Sequence, residues 1–414
     1  MIGKALRRRL QKLARSACQR ADDGIAVMLE VEGYRAAGRV IGGLGFAFQK
    51  NGRSMPRKPG TRRDAGDAAT NDDELRFPSL HVRTPTIYTR PDLGSHFSSR
   101  SEKAVPMSTL LVTHPAFLAH DTGAHHPERP ARLEAVLRAL DREEFASLER
   151  REAPEATVEQ IARAHPSSFV EAALQAMPKT GHVAFDADTI CSPGSREAVL
   201  RACGALVAAV DAVATGEASN AFCAVRPPGH HAEPTQPMGF CIFNNVVVGA
   251  LHARAAHGHG RVAVVDFDVH HGNGTQAMFE RDPTLFFAST HQSPLYPGTG
   301  ARSERGVGNI VNLPLAPNSG SAEFRAAVEK EVLPALRAFK PDFLLISAGF
   351  DAHRADPLAN LQFEDADYRW VTERLLEVAG ECCGGRVVST LEGGYDLNAL
   401  ASSTAEHVRA LMAA

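Results

Sequence analysis

The hydrophobic pattern of the chain changes character at Met107. From Gln49 to about Val105, residues of the Arg, Pro, Gly, Ser and Asp types follow one another without period, as in Lys50–Gly60. So little apolar surface cannot offset the entropy of ordering, which predicts a disordered or loosely draped stretch. From Ser108 onward, short apolar or β-branched runs alternate with amphipathic ones. The runs predict strands at Leu110–His114, Ala221–Val225, Val262–Phe267, Leu285–Ser289, Asn309–Leu313, Phe343–Ser347 and Val387–Leu391. Helical periodicity falls at Pro130–Leu140, Arg196–Ala214, Asn245–Ala256, Ala322–Phe339, Ala366–Gly380 and Leu397–Met412. Near-continuous apolar strands separated by helices predict an α/β domain over 107–414, with a parallel sheet flanked by helices on both faces. In such a sheet ligands bind at the carboxyl ends of the strands.

Charge sharpens the boundary. The 414 residues carry a formal net charge of -3, but residues 1–106 hold 20 Lys+Arg against 11 Asp+Glu, leaving 25 against 37 for 107–414. The basic segment reads as an N-terminal extension, with a mis-assigned start at one extreme and a tail touching nucleic acid or an acidic partner at the other. The near-neutral total argues against nucleic acid binding elsewhere. Seven scattered cysteines without a C-x-x-C pair suggest reduced thiols and a cytoplasmic protein. No apolar segment has the length of a membrane span, and the basic start lacks the apolar core of a secretory signal.

Three strand ends carry chemistry. Asp266, Asp268, His270, His271 and Asn273 follow one apolar run, Ser347 to Asp351 another, and Arg226 to His231 a third. A strand-like backbone would put Asp266, Asp268 and His270 on one face. Asp268, His270 and Asp351 would form a three-ligand site with an open position, the arrangement of catalytic zinc. Mixed oxygen and nitrogen ligands also suit iron(II), cobalt or manganese. Any one of these residues alone reads as a strand-end cap. Placed together without a function they would be costly buried charge.

Six segments, Arg226–His231, Gly239–Asn245, Asp266–Gly274, Tyr296–Gly300, Ser347–Asp351 and Leu391–Tyr395, resemble the zinc-dependent histone deacetylase superfamily, which includes acetylpolyamine amidohydrolases. The resemblance covers 107–414 and implies an arginase–deacetylase fold with a parallel sheet of about eight strands. It implies Zn²⁺ (with Fe²⁺ or Co²⁺ as alternatives) on Asp268, His270 and Asp351. His230 and His231 match the histidine pair, the second acting as general base and then acid, with Asp266 as partner of the first. Asn273 resembles class II and the bacterial deacetylase-like enzymes and gives His231 a neutral partner. Tyr395 matches the tyrosine that donates to the developing oxyanion.

The same resemblance implies a narrow channel with Phe240 and Tyr296 as aromatic walls, Gly239 and Leu358 beside them, and Arg129 near the pocket that releases acetate. It also implies a structural K⁺ held by Asp266, Asp268, His270, Ser289 and Thr290. The expected partner is an acetylated lysine peptide or protein, with a small acetylated amine or polyamine as alternative. The short segment Gln292–Tyr296 shows no insertion to narrow the entrance. An acyl-lysine binding module without turnover and an arginase-type ureohydrolase are the competing readings; the oligomeric state stays open, dimer and tetramer included. His125-His126 and His257-Gly-His259 read as solvated loop histidines.

Overall fold

The computed structural model describes residues 108–414 and three short strands before them. The chain divides into two compact units, Met1–His96 and Phe97–Ala414. In the first, β1 (Val27–Val31), β2 (Tyr34–Gly38) and β3 (Phe48–Lys50) pair antiparallel. Apart from the end of β3, the stretch read as disordered lies outside the described residues.

In the second unit, β4 (Thr109–Thr113), β5 (Glu149–Glu152), β8 (Asn220–Cys223), β9 (Val262–Asp266), β10 (Leu285–Gln292), β11 (Ile310–Leu315), β12 (Phe343–Ala348) and β13 (Val387–Leu391) form one sheet; β6 (Val183–Ala184) and β7 (Ile190–Cys191) pair apart. The order is β11-β10-β9-β12-β13-β8-β4-β5, parallel throughout. Strands β8, β9, β12 and β13 are buried along their whole length. That is why they read as unbroken apolar runs rather than alternating ones. Helices Ser195–Ala214 and Asn245–His257 pack on β4, β8, β9, β12 and β13, while Asp365–Cys383 and Leu397–Met412 pack on β12, β8 and each other.

Among the elements that depart from expectation, three have a clear physical reason or setting. Edge strand β5, Glu149-Arg-Arg-Glu152, has no apolar residue and alternates half-buried with exposed positions. Its pairing with β4, not its composition, makes it a strand. Helix Ser167–Ala176 was also unforeseen. The single helix expected over Ala322–Phe339 is broken into Ser321–Ala327, a π-turn at Val328–Val332 and Leu333–Phe339. Pro334 is the physical reason, because it has no N–H for the preceding turn.

The order β9-β12-β13-β8 has the consequence that matters. Four adjacent strands deliver their following loops to one edge of the sheet. These loops hold Asp266–Asn273, Gly349–Leu358, Glu392–Tyr395 and Arg226–His231. Among the described residues no helix is long and apolar enough to cross a membrane.

Candidate active site

β9 ends at Asp266, so Asp268 and His270 lie beyond the strand and their alternation is not the β-type expected. Side-chain turns produce it instead. Asp266 Oδ1 accepts from Asp268 N at 3.0 Å, and Asp268 Oδ1 from His270 N at 2.9 Å, each carboxylate holding the backbone two residues on. Gly393 N donates to Asp268 Oδ2 at 2.8 Å and Val269 N to Asp351 Oδ1 at 2.8 Å. Both oxygens of Asp268 and one of Asp351 are thus anchored by backbone N–H groups. Asp268 Oδ1 and Asp351 Oδ2 stand 3.2 and 3.1 Å from His270 Nδ1.

The three ligand atoms lie within 4.8 Å of one another, in fully or nearly fully buried residues. Burial and the Asp268 charge push the Asp351 carboxyl up to about 7. Burial thus disfavours charge on Asp351 beside Asp268, and a divalent cation between the two would favour it. A Cβ on Gly349 would collide with the Asp268 carboxylate, and one on Gly393 with Asp351. The donor set therefore fits a metal ion.

The histidine pair arrives from the loop after β8, with ring centroids 4.0 Å apart. His230 Nδ1 donates to Asp266 Oδ2 at 2.9 Å. Burial lowers the His230 pKa, but the Asp268 and Asp266 carboxylates outweigh it and raise the ring to about 10. His231 is the opposite case. Burial, reinforced by the His230 and His270 charges, holds it well below its ordinary value. Its Nδ1 lies 2.8 Å from Asn273 Oδ1. Asn273 Nδ2 donates to Glu233 Oε1 at 2.9 Å, which fixes the amide with its oxygen toward the imidazole. His231 is therefore protonated on Nδ1, with the Nε2 lone pair free.

Above these groups opens a cavity of about 230 Å³. Its lining includes His231, His270, Tyr395, Gly239, Phe240, Tyr296 and Leu358. Tyr296 stands edge-on to His231 at 5.1 Å, and Phe240 edge-on to Tyr395 at 5.9 Å. Gly239 has φ +56, and a Cβ there would press on the His231 ring. Tyr296 and Leu358 are 39% and 36% exposed at the mouth.

The profile of the histone deacetylase domain matches residues 126–411. The chain belongs to the histone deacetylase family. It is 42% identical over 324 residues to histone deacetylase 14, chloroplastic, of Arabidopsis thaliana, covering 73% of this chain and 76% of that protein. It is 40% identical over 289 residues to the histone deacetylase-like amidohydrolase of Pseudomonas aeruginosa, covering 69% and 74%. A crystal structure of the HDA15 HD domain matches with a TM-score of 0.69 and 36% identity, covering 74% of this chain and 88% of that one. The fold is accordingly the arginase–deacetylase fold, with its eight parallel strands.

The deacetylase domain corrects one expected site residue. Arg129 is exposed and merely precedes helix Pro130–Leu140. The arginine beside the site is Arg132, fully buried, with Cζ 4.8 Å from the Tyr395 ring centroid. Its Nε donates to Gly394 O at 2.6 Å, Nη2 to Glu392 O at 2.5 Å and Nη1 to Glu128 Oε1 at 3.1 Å. The signal was in the helix. Arg132 shares a face with Val136 and Leu140 at i+4 and i+8, both buried. Arg129 does not pair with Glu128, which instead binds Arg226 through Nε at 2.5 Å and Nη2 at 2.8 Å.

Other contributors were not foreseen. Asp188 and Leu295 complete the cavity lining. Glu392, fully buried, accepts from Gly229 N at 2.7 Å and Ser347 Oγ at 3.2 Å. His126 is no solvated loop residue. It packs edge-on against Phe240 at 4.8 Å, with Nε2 3.0 Å from Asp188 O. His257 also departs from expectation, lying 2.6 Å from Asp211 Oδ1, which His252 Nε2 approaches at 2.7 Å. Arg163 donates to His252 Nδ1, so Nε2 of that ring carries the proton and the trio is hydrogen-bonded helix packing. Ser289 pairs with Asp266 in register, and Thr290 Oγ1 is buried with no hydrogen-bond partner among the described residues.

Proposed function

We propose that this deacetylase hydrolyses the amide of N-acetyl-lysine in peptides or proteins, releasing acetate. The observation that carries the reading is that His231, with its free Nε2, and Tyr395 line one cavity with His270, whose Nδ1 closes the candidate ligand set with Asp268 and Asp351. A divalent ion held there, for which this donor set supports zinc with iron(II) or cobalt as alternatives, would polarise the acyl carbonyl and lower the pKa of water.

The protein's own groups do the rest. His231 takes the proton of the attacking water at Nε2 and returns it to the departing amine, so the ring ends neutral as it began. Burial keeps that ring unprotonated at neutral pH, as a base must be. His230 is held beside it by Asp266. The Tyr395 hydroxyl donates to the oxygen that gains negative charge. Phe240, Tyr296, Gly239 and Leu358 enclose the methylene stem of the substrate. At about 230 Å³ the cavity falls below the roughly 300–1,000 Å³ of drug-sized pockets, which supports insertion of a single side chain. The partnerless Thr290 hydroxyl supports potassium beside Asp266. Every cysteine among the described residues is unpaired, in keeping with a reducing compartment; the cytoplasm satisfies this, as a plastid interior would.

The test is release of a fluorophore from an acetyl-lysine amide, run beside acetylated polyamines. Turnover that chelator abolishes and zinc restores supports the reading. Turnover of polyamines alone would reassign the substrate, and binding without turnover on every substrate would make the chain an acyl-lysine receptor.

A further inference from the structure

One buried carboxylate joins two walls of the cavity that come from different strands. Asp356, 7% exposed, lies five residues beyond the ligand candidate Asp351 in the loop after β12. Its Oδ1 accepts from Leu358 N at 2.9 Å within its own turn. Its Oδ2 accepts from Tyr395 N at 2.7 Å and more weakly from Asp396 N at 3.4 Å, both in the loop after β13. No other side chain among the described residues accepts from the Tyr395 backbone N–H. Asp396 in turn caps helix Leu397–Met412 through Asn398 N and Ala399 N. The Gly394–Tyr395 peptide that carries the phenol is thus held at its N–H by the second oxygen of Asp356 and at its carbonyl by Arg132 Nε, with a helix start just beyond it. The same carboxylate fixes Leu358 at the cavity mouth.

We propose that Asp356 is a positioning residue that sets the Tyr395 hydroxyl against the reacting carbonyl and couples it to the Leu358 wall. The proposal rests on the amidohydrolase reading above. A carboxylate is suited to the task because both oxygens accept, and charge-assisted bonds to backbone N–H are the stronger kind. An amide has one acceptor oxygen. In Asp356→Asn the local turn to Leu358, two residues away, keeps that oxygen, since Asx turns of this type form readily. The NH₂ then faces the Tyr395 N–H, donor against donor, so the N–H side of the peptide is pushed away while Arg132 still holds the Gly394 carbonyl, and the tyrosine is reoriented.

The experiment is a double-mutant cycle on the full chain: wild type, Asp356→Asn, Tyr395→Phe and the double variant, each assayed for kcat, KM and bound zinc on an acetyl-lysine amide. Asp356→Asn is expected to lower kcat at least about tenfold with zinc content unchanged, the scale of a misplaced oxyanion donor. In the Tyr395→Phe background the same change should lower kcat by no more than about twofold, because the hydroxyl it positions is already gone. Asp356→Ala, which also frees Leu358, should add a rise in KM that persists in both backgrounds. Equal losses in the two backgrounds, or loss of zinc with loss of activity, would overturn the proposal. So would an unchanged kcat in both Asp356 variants. A wild-type protein that hydrolyses no acyl amide overturns the functional reading itself and this inference with it.

Discussion

Replacing Glu128 by glutamine probes the buried charges beneath the site. Glu128 is fully buried between Arg226 and Arg132, themselves fully buried, and accepts three guanidinium hydrogen bonds. Burial alone would raise its pKa, but Arg226 leads the groups that overcome it and lower it to about 2 from an ordinary 4.5. A shift of that size corresponds to about 3 kcal/mol of native-state stability. Breaking a buried ion pair from one side typically costs about 3–5 kcal/mol, because the partner's charge is left uncompensated. Glutamine keeps the shape and one acceptor but turns an NH₂ toward a guanidinium. The sign follows from the direction of the shift. A carboxyl with a depressed folded-state pKa stabilises fully above its unfolded value, and the contribution disappears as pH falls from 4.5 toward 2. Urea unfolding of Glu128→Gln should therefore show about 3 kcal/mol less stability than wild type at pH 7, with the difference narrowing below pH 4.5. A deficit under about 1 kcal/mol, or one that stays constant into acid, would refute the reasoning.

Further outcomes follow from individual contacts. Tyr395→Phe should lower kcat at least about tenfold at near-normal zinc content, since Arg132 and Phe240 hold the ring without the hydroxyl; wild-type turnover by stopped assay would contradict this. Gly393→Ala places a methyl group against the Asp351 and Asp268 carboxylates and should sharply reduce bound zinc, measured by elemental analysis, while the fold survives by circular dichroism. His407 and His165 are buried neutral, their pKa values lowered to about 3 and about 4 mainly by burial. Unfolding releases them to titrate near 6.5, so stability is full above that value and should fall by about 1 kcal/mol per histidine between pH 6.5 and 5.5. His407→Gln and His165→Gln variants should flatten that slope in thermal melts, and an unchanged slope would count against the assignment.

The sheet was legible because burial on both faces writes itself as unbroken apolar runs, and the metal set because polar residues interrupt those runs only at their carboxyl ends. β5 was not, since an edge strand of Glu and Arg is specified by its neighbour rather than by its own side chains. Arg129 stands out in the string His126–Pro130, but helical phase puts Arg132, not Arg129, on the buried face with Val136 and Leu140. Asp356 and Glu392 were invisible for a different reason. Their function is to receive backbone N–H groups from segments tens to hundreds of residues away, and no local pattern marks an acceptor whose donors the tertiary fold supplies. Asn273 was foreseen as a neutral partner for His231, but the role of Glu233 in orienting its amide needed coordinates.

The most direct test titrates zinc into chelator-stripped protein while acetate release from an acetyl-lysine peptide is followed. The account predicts no release at the outset, a linear rise that saturates at one equivalent per chain, and loss of that response in Asp351→Asn. Release that is independent of metal, or a response that survives Asp351→Asn, would contradict it.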